Sequence, residues 1–108
     1  MAVAMAGPKA AVAQVAVLVP GLLRSYTAGA ERVDLALAAP ADAAAPCVGD
    51  ALAALDGRFP GLRFRIVDEQ GRIRPHIKLF VDRTLARELA VPLPAAATLM
   101  IVGALSGG

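Results

Sequence analysis

The sequence predicts an α+β fold: a sheet of four to five strands with one main helix packed on one face. Three observations carry this. Residues 31–37 and 77–82 alternate apolar and polar side chains with the two-residue period of a half-buried strand. Val48, Leu52, Leu55 and Phe59 recur at spacings of four, three and four, which places them on one face of a helix. The elements run strand, strand, helix, strand, strand, and a single helix covers only one face of such a sheet.

Residues 1–11 read as a flexible alanine-rich leader, residues 12–104 as the folded domain and residues 105–108 as a tail. In the first strand Val15, Val17 and Val19 alternate with Ala16 and Leu18, and Pro20-Gly21 closes the run. Residues 22–27 form a short helical turn, and Ala28-Gly29 sends the chain back. The second strand buries Val33, Leu35 and Leu37 and exposes Arg32, Asp34 and Ala36; it pairs with the first as an antiparallel hairpin. Residues 38–46 are an Ala/Pro/Asp linker without period. The helix starts at Cys47, in the N-cap position, with Asp50 in a first turn that favours negative charge. Phe59-Pro60-Gly61 stops it. Residues 62–67 mix apolar and polar side chains, and Asp68-Glu69-Gln70-Gly71 is a turn. The third strand, 77–82, points Ile77, Leu79 and Val81 inward and Lys78, Phe80 and Asp82 outward. Residues 83–97 are irregular. The last strand, 99–102, points Leu99 and Ile101 inward and Met100 and Val102 outward.

Composition excludes several classes. The chain has 108 residues, a net charge of +2, one Cys, one His and no Trp. The charge is too small to indicate nucleic acid by itself. The basic stretch of Arg58, Arg63, Arg65, Arg72, Arg74 and Lys78 reads as a solvated face, or else as a docking surface for an acidic partner. One cysteine excludes an internal disulfide and fits a cytoplasmic chain. Residues 15–19 are far short of the ~20 apolar residues needed to cross a bilayer, so no membrane association is expected. No Cys/His cluster offers a metal site, and no glycine-rich phosphate loop is present. His76 has no catalytic companion in the sequence. Cys47 at a helix N-terminus could be a nucleophile, but no base stands near it, and a small structural residue is the simpler reading.

Two features remain. Phe80, Met100 and Val102 fall on the uncovered sheet face, where grouped apolar side chains suggest a protein contact. The sequence given ends Leu105-Ser106-Gly107-Gly108, and a Gly-Gly end lacks the side chains that would keep it out of a narrow tunnel.

Together these segments resemble the ubiquitin-like sulfur carriers of the β-grasp fold (MoaD/ThiS-like), which include the small subunit of molybdopterin synthase and the thiamine sulfur carrier. The resemblance lies in Val17-Leu18-Val19-Pro20-Gly21-Leu22-Leu23-Arg24, in Val48-Gly49-Asp50-Ala51-Leu52-Ala53-Ala54-Leu55 followed by Phe59-Pro60-Gly61-Leu62, in residues 68–75 leading into the third strand, and in residues 101–108. The sequence departs from the family at Asp82-Arg83-Thr84, at residues 94–98 and at Cys47, Met100 and Gly103. The resemblance implies a mixed sheet and a carrier rather than an enzyme. It implies that the Gly108 carboxylate is adenylated by a separate activating enzyme using ATP and converted to a thiocarboxylate. In the tail that binds the partner, Leu105 and Ser106 would sit at the channel entrance and set register, Gly107 with Gly108 would supply slimness and reach, and a sulfur-accepting synthase subunit would be the second partner. It implies no cofactor or metal bound by the domain itself and no nucleic acid. The pathway, molybdopterin or a related cofactor, cysteine or thio-metabolite route, stays open. So do two other readings: a β-grasp interaction module that never activates its tail, and a conjugated modifier.

Overall fold

The computed structural model describes residues 12–41 and 43–103. The leader and the tail residues Leu105, Ser106, Gly107 and Gly108 lie outside them.

Strand β1 (Ala13–Leu18) buries Ala13, Val15 and Val17 and pairs antiparallel with β2 (Arg32–Leu37), in register Ala13↔Leu37 to Leu18↔Arg32. A 3-10 helix at Gly21–Thr27 connects them and ends on Ala28 in the left-handed region, at φ 56°. The buried Thr27 hydroxyl donates to the Ala30 carbonyl at 2.9 Å, so this reversal encloses no unsatisfied polar side chain.

Helix α1 (Val48–Arg58) buries Val48, Ala51, Leu52 and Leu55. Its start is held by a local and a distant device. The Asp50 carboxylate accepts the Cys47 N–H at 2.7 Å, half of a capping box. The carbonyls of Val91 and Leu89 accept the N–H groups of Val48 and Gly49, each at 2.9 Å. These are helix-start donors without intrahelical partners, and a loop from the far end of the sequence satisfies them. Gly49 suits that approach: a Cβ there would stand 3.3 Å from Leu89 Cβ.

Residues 62–66, unassigned on sequence, form a second helix, α2 (Leu62–Ile66). One Asp56 oxygen accepts the N–H of Gly61 at 3.0 Å and of Arg63 at 3.1 Å, so the end of α1 organises the start of α2. In the turn that follows, Asp68 Oδ1 accepts the N–H groups of Arg72 and Gln70, each at 2.9 Å. The Arg72 N–H, above the other causes, holds the Asp68 carboxyl below the usual carboxylate range, against a smaller opposing effect of burial.

β3 (Ile77–Val81) buries Ile77, Leu79 and Val81, as the alternation requires. The expectation of irregular chain from 83 to 97 is corrected: Thr84–Ala86 is a short strand, β4, antiparallel to β3. Asp82 adopts φ 56° in the intervening turn, a conformation Asp tolerates better than most residues. It fixes that turn to the start of the last strand: its N–H donates to Thr98 O at 2.8 Å and its carboxylate accepts the Thr98 N–H at 3.0 Å. β5 (Thr98–Gly103) buries Leu99 and Ile101.

The sheet order is β2-β1-β5-β3-β4. β5 lies between β1, to which it is parallel, and β3, to which it is antiparallel. The sheet is therefore mixed, and the fold is the α+β ubiquitin-like β-grasp arrangement. Val15, Val17, Val33, Leu35, Leu79, Leu99 and Ile101 meet Leu52 and Leu55 of α1 in one core. Among the described residues no helix is long and apolar enough to cross a membrane.

Candidate functional site: the open sheet face and the end of the central strand

The sheet brings two of the three predicted face residues side by side. Met100 is the cross-strand partner of Phe80 on β3 and of Leu18 on β1, and Phe80 is in turn opposite Leu85 on β4. The register thus aligns Leu18, Met100, Phe80 and Leu85 across four strands, all half-buried. Val102 is 36% exposed and pairs with Lys78, nearer the end of β5. Leu18 and Leu85 were missed on sequence. Leu18 reads there as a spacer within a buried strand, and Leu85 falls in a segment taken as irregular.

β5 is a central strand and its last residue is still paired: Gly103 lies opposite Ile77. On the other side Leu22 of the 3-10 helix covers it, and a Cβ at Gly103 would run into the Leu22 Cδ2 methyl. A depression of about 270 Å3 at this point is lined by Leu18, Pro20, Arg24, Met100, Val102 and Gly103. Its rim is apolar apart from Arg24, whose Nε donates to the Val19 carbonyl at 3.1 Å. The apolar strip therefore borders the point where residues 104–108 continue the sequence. The predicted tail residues Leu105, Ser106, Gly107 and Gly108 have no described position relative to it.

The rival sites gain little from the structure. The first N–H groups of α1 above Cys47 are taken by Val91 and Leu89 carbonyls, and Asp50 is engaged with the Cys47 backbone. His76 is exposed in the turn before β3. Among the described residues no three His, Cys, Asp or Glu side chains come together as metal ligands.

No protein-family model matches the chain, and no curated protein does. Solved structures do. The small archaeal modifier protein 1 (SAMP1) of Haloferax volcanii superposes with a TM-score of 0.72 at 26% identity, covering 88% of this chain and 99% of that one. CysO in the BexX/CysO complex of Amycolatopsis orientalis gives 0.70 at 25%, covering 87% and 99%. CysO of Mycobacterium tuberculosis gives 0.68 at 22%, covering 84% and 99%, and so speaks for the fold alone. The chain is a ubiquitin-like β-grasp protein, and its structural neighbours are the small sulfur-carrier and modifier proteins of that fold.

Proposed function

We propose that this protein is a cytoplasmic sulfur carrier charged at the Gly108 carboxylate. The observation that carries the reading is the position of β5. A central strand, paired on both sides, leads the chain out of the sheet at Gly103 beside an apolar strip, with Ala104-Leu105-Ser106-Gly107-Gly108 next in the sequence. Such a root fixes where a slender tail begins while a partner grips the face beside it. The neighbour crystallised as a BexX/CysO complex supports a small protein of this fold working in a partner's grasp.

The chemistry belongs to the tail and to its partners. A carboxylate is a poor electrophile because both oxygens share the charge. Attack of a Gly108 carboxylate oxygen on the α-phosphorus of ATP, held by the activating enzyme, releases pyrophosphate and leaves an acyl-adenylate. Hydrosulfide then adds to the carbonyl carbon, the bond to the AMP oxygen breaks and AMP departs with that electron pair. After loss of the S–H proton the product is a thiocarboxylate. Tethered to the tail, this sulfur reaches the accepting synthase as an effectively unimolecular reactant. The domain contributes recognition and reach and needs no base or metal of its own. Molybdopterin, or a related cofactor, cysteine or thio-metabolite, is the class of product served.

The match to a small archaeal modifier protein favours a second use of the same adenylate, in which a partner's lysine amine replaces sulfur as the attacking group. One experiment separates the readings. The protein is incubated with an adenylating enzyme of the carrier class, ATP and sulfide, and its intact mass is followed. Carrier chemistry replaces one oxygen by sulfur, and a variant lacking Gly108 shows no change. Conjugation instead gives isopeptide adducts on lysines. An unchanged mass in both forms would leave only a β-grasp interaction module acting through its open face.

A further inference from the structure

We propose that the groove between the 3-10 helix and α2 binds an acidic, extended segment of a partner protein. The groove, about 690 Å3, is lined by Leu22, Tyr26, Phe64, Arg65, Arg74 and His76, with Glu69 its one carboxylate. Its two guanidinium groups are held in place before any ligand arrives. Arg74 Nε donates to the Phe64 carbonyl at 2.7 Å, and Arg74 Cζ stands 4.5 Å from the centroid of the Phe64 ring. Arg65 Cζ stands 5.5 Å from the centroid of the Tyr26 ring. Arg24, Arg32 and Arg72 each approach a carboxylate at 4.0 Å or less; among the described residues Arg65 and Arg74 come that close to none, although the Arg74 charge is felt by Asp68 from farther off.

A planar guanidinium stacked on an aromatic ring keeps free donors in a fixed fork and loses little side-chain entropy when a carboxylate binds. Phe64 is 51% exposed, and Leu22 is 41% exposed at the other wall. The complement is a segment that offers carboxylates to Arg65 and Arg74 and an apolar side chain to Phe64 and Leu22. Single-stranded nucleic acid fits less well: stacking on successive bases needs a run of exposed rings, and Glu69 would face the phosphates. The groove adjoins the end of β5, because Leu22 covers Gly103 and His76 precedes its strand partner Ile77. Its use during transfer at the tail rests on the carrier reading, but the binding itself does not.

The test is a titration of the 15N-labelled full chain, followed by amide chemical shifts. The probes are a synthetic Glu-Leu-Glu-Leu-Glu peptide, its Gln-Leu-Gln-Leu-Gln counterpart and a uridine pentanucleotide. Saturable shifts are expected within residues 22–26, 64–69 and 74–76 for the acidic peptide. About a tenfold loss of affinity is expected in the double variant Arg65→Ala/Arg74→Ala and for the Gln peptide. Glu69→Gln should tighten binding, and Arg83→Ala, in the β3–β4 turn, should change it little. Equal binding of the Gln peptide, shifts centred on Arg83 and Arg87, or tighter binding of the nucleotide would overturn the proposal. Each outcome is independent of Gly108, so the groove and the carrier chemistry stand or fall separately.

Discussion

Replacing Met100 by Glu should leave the domain folded and weaken its complex with an activating enzyme about a hundredfold or more. Met100 sits in the middle of the apolar strip, with Leu18 on one side and Phe80 on the other. Met100 is half-buried by its strand neighbours, but among the described residues no helix covers this face. A Glu side chain there can therefore extend its carboxylate into water, and the loss of packing should cost about 1 kcal/mol. Under a partner the same carboxylate would be desolvated with apolar neighbours on both flanks, and a buried, unpaired charge costs several kcal/mol. Val12→Glu is the control: Val12 is 43% exposed and precedes β1, at the opposite end of that strand from Leu18. Calorimetric or surface-binding titration would report the difference. Equal affinities for the two variants would show that the partner grips another surface.

The second large effect concerns stability. Leu52 is fully buried in α1 and belongs to the single core between helix and sheet. Leu52→Ala removes three heavy atoms from a site with little room to collapse, and should cost about 3 kcal/mol and lower Tm by roughly 15 °C. That is a large part of the ~5–15 kcal/mol that holds a domain of this size together. Leu22→Ala, at a residue 41% exposed, should cost under ~1 kcal/mol. Denaturant unfolding of the two variants checks the contrast, and comparable losses would contradict the placement of the core.

The contrast also shows what was legible in the sequence. Alternation of large and small or charged side chains gave the inward sets of β2, β3 and β5, because burial on one sheet face imposes a period of two. The four-three-four spacing gave α1 and its buried leucines. The elements that escaped are those whose cause lies elsewhere in the chain. α2 is a single turn capped by Asp56 from the preceding helix, and no periodicity can be read from five residues. β4 has three residues, and its inward side chain, Ala86, is too small to mark a face in a chain so rich in alanine. The loop carbonyls that complete the start of α1 come from Leu89 and Val91, some forty positions away.

The candidate surface was half legible for the same reason. Phe80 and Met100 announce themselves as large side chains at outward positions. Leu18 and Leu85 join them only through strand register, which is a property of the whole sheet. The groove of Arg65 and Arg74 was visible only as part of a basic stretch. Arg58 also stacks on a ring, that of Phe59, so what sets Arg65 and Arg74 apart is that both line one groove, and that depends on the turn that brings Arg74 back over α2.

The claim that the chain exists to present the Gly108 carboxyl group is tested most directly on protein taken from the cell that makes it. Treatment with iodoacetamide traps a thiocarboxylate by S-alkylation, and the mass of the carboxy-terminal peptide then reports its chemical state. The account predicts a peptide ending at Gly108 of which a fraction carries the alkylated sulfur. A peptide that continues beyond Gly108, or one that ends there and never carries sulfur while its activating enzyme is present, would contradict it.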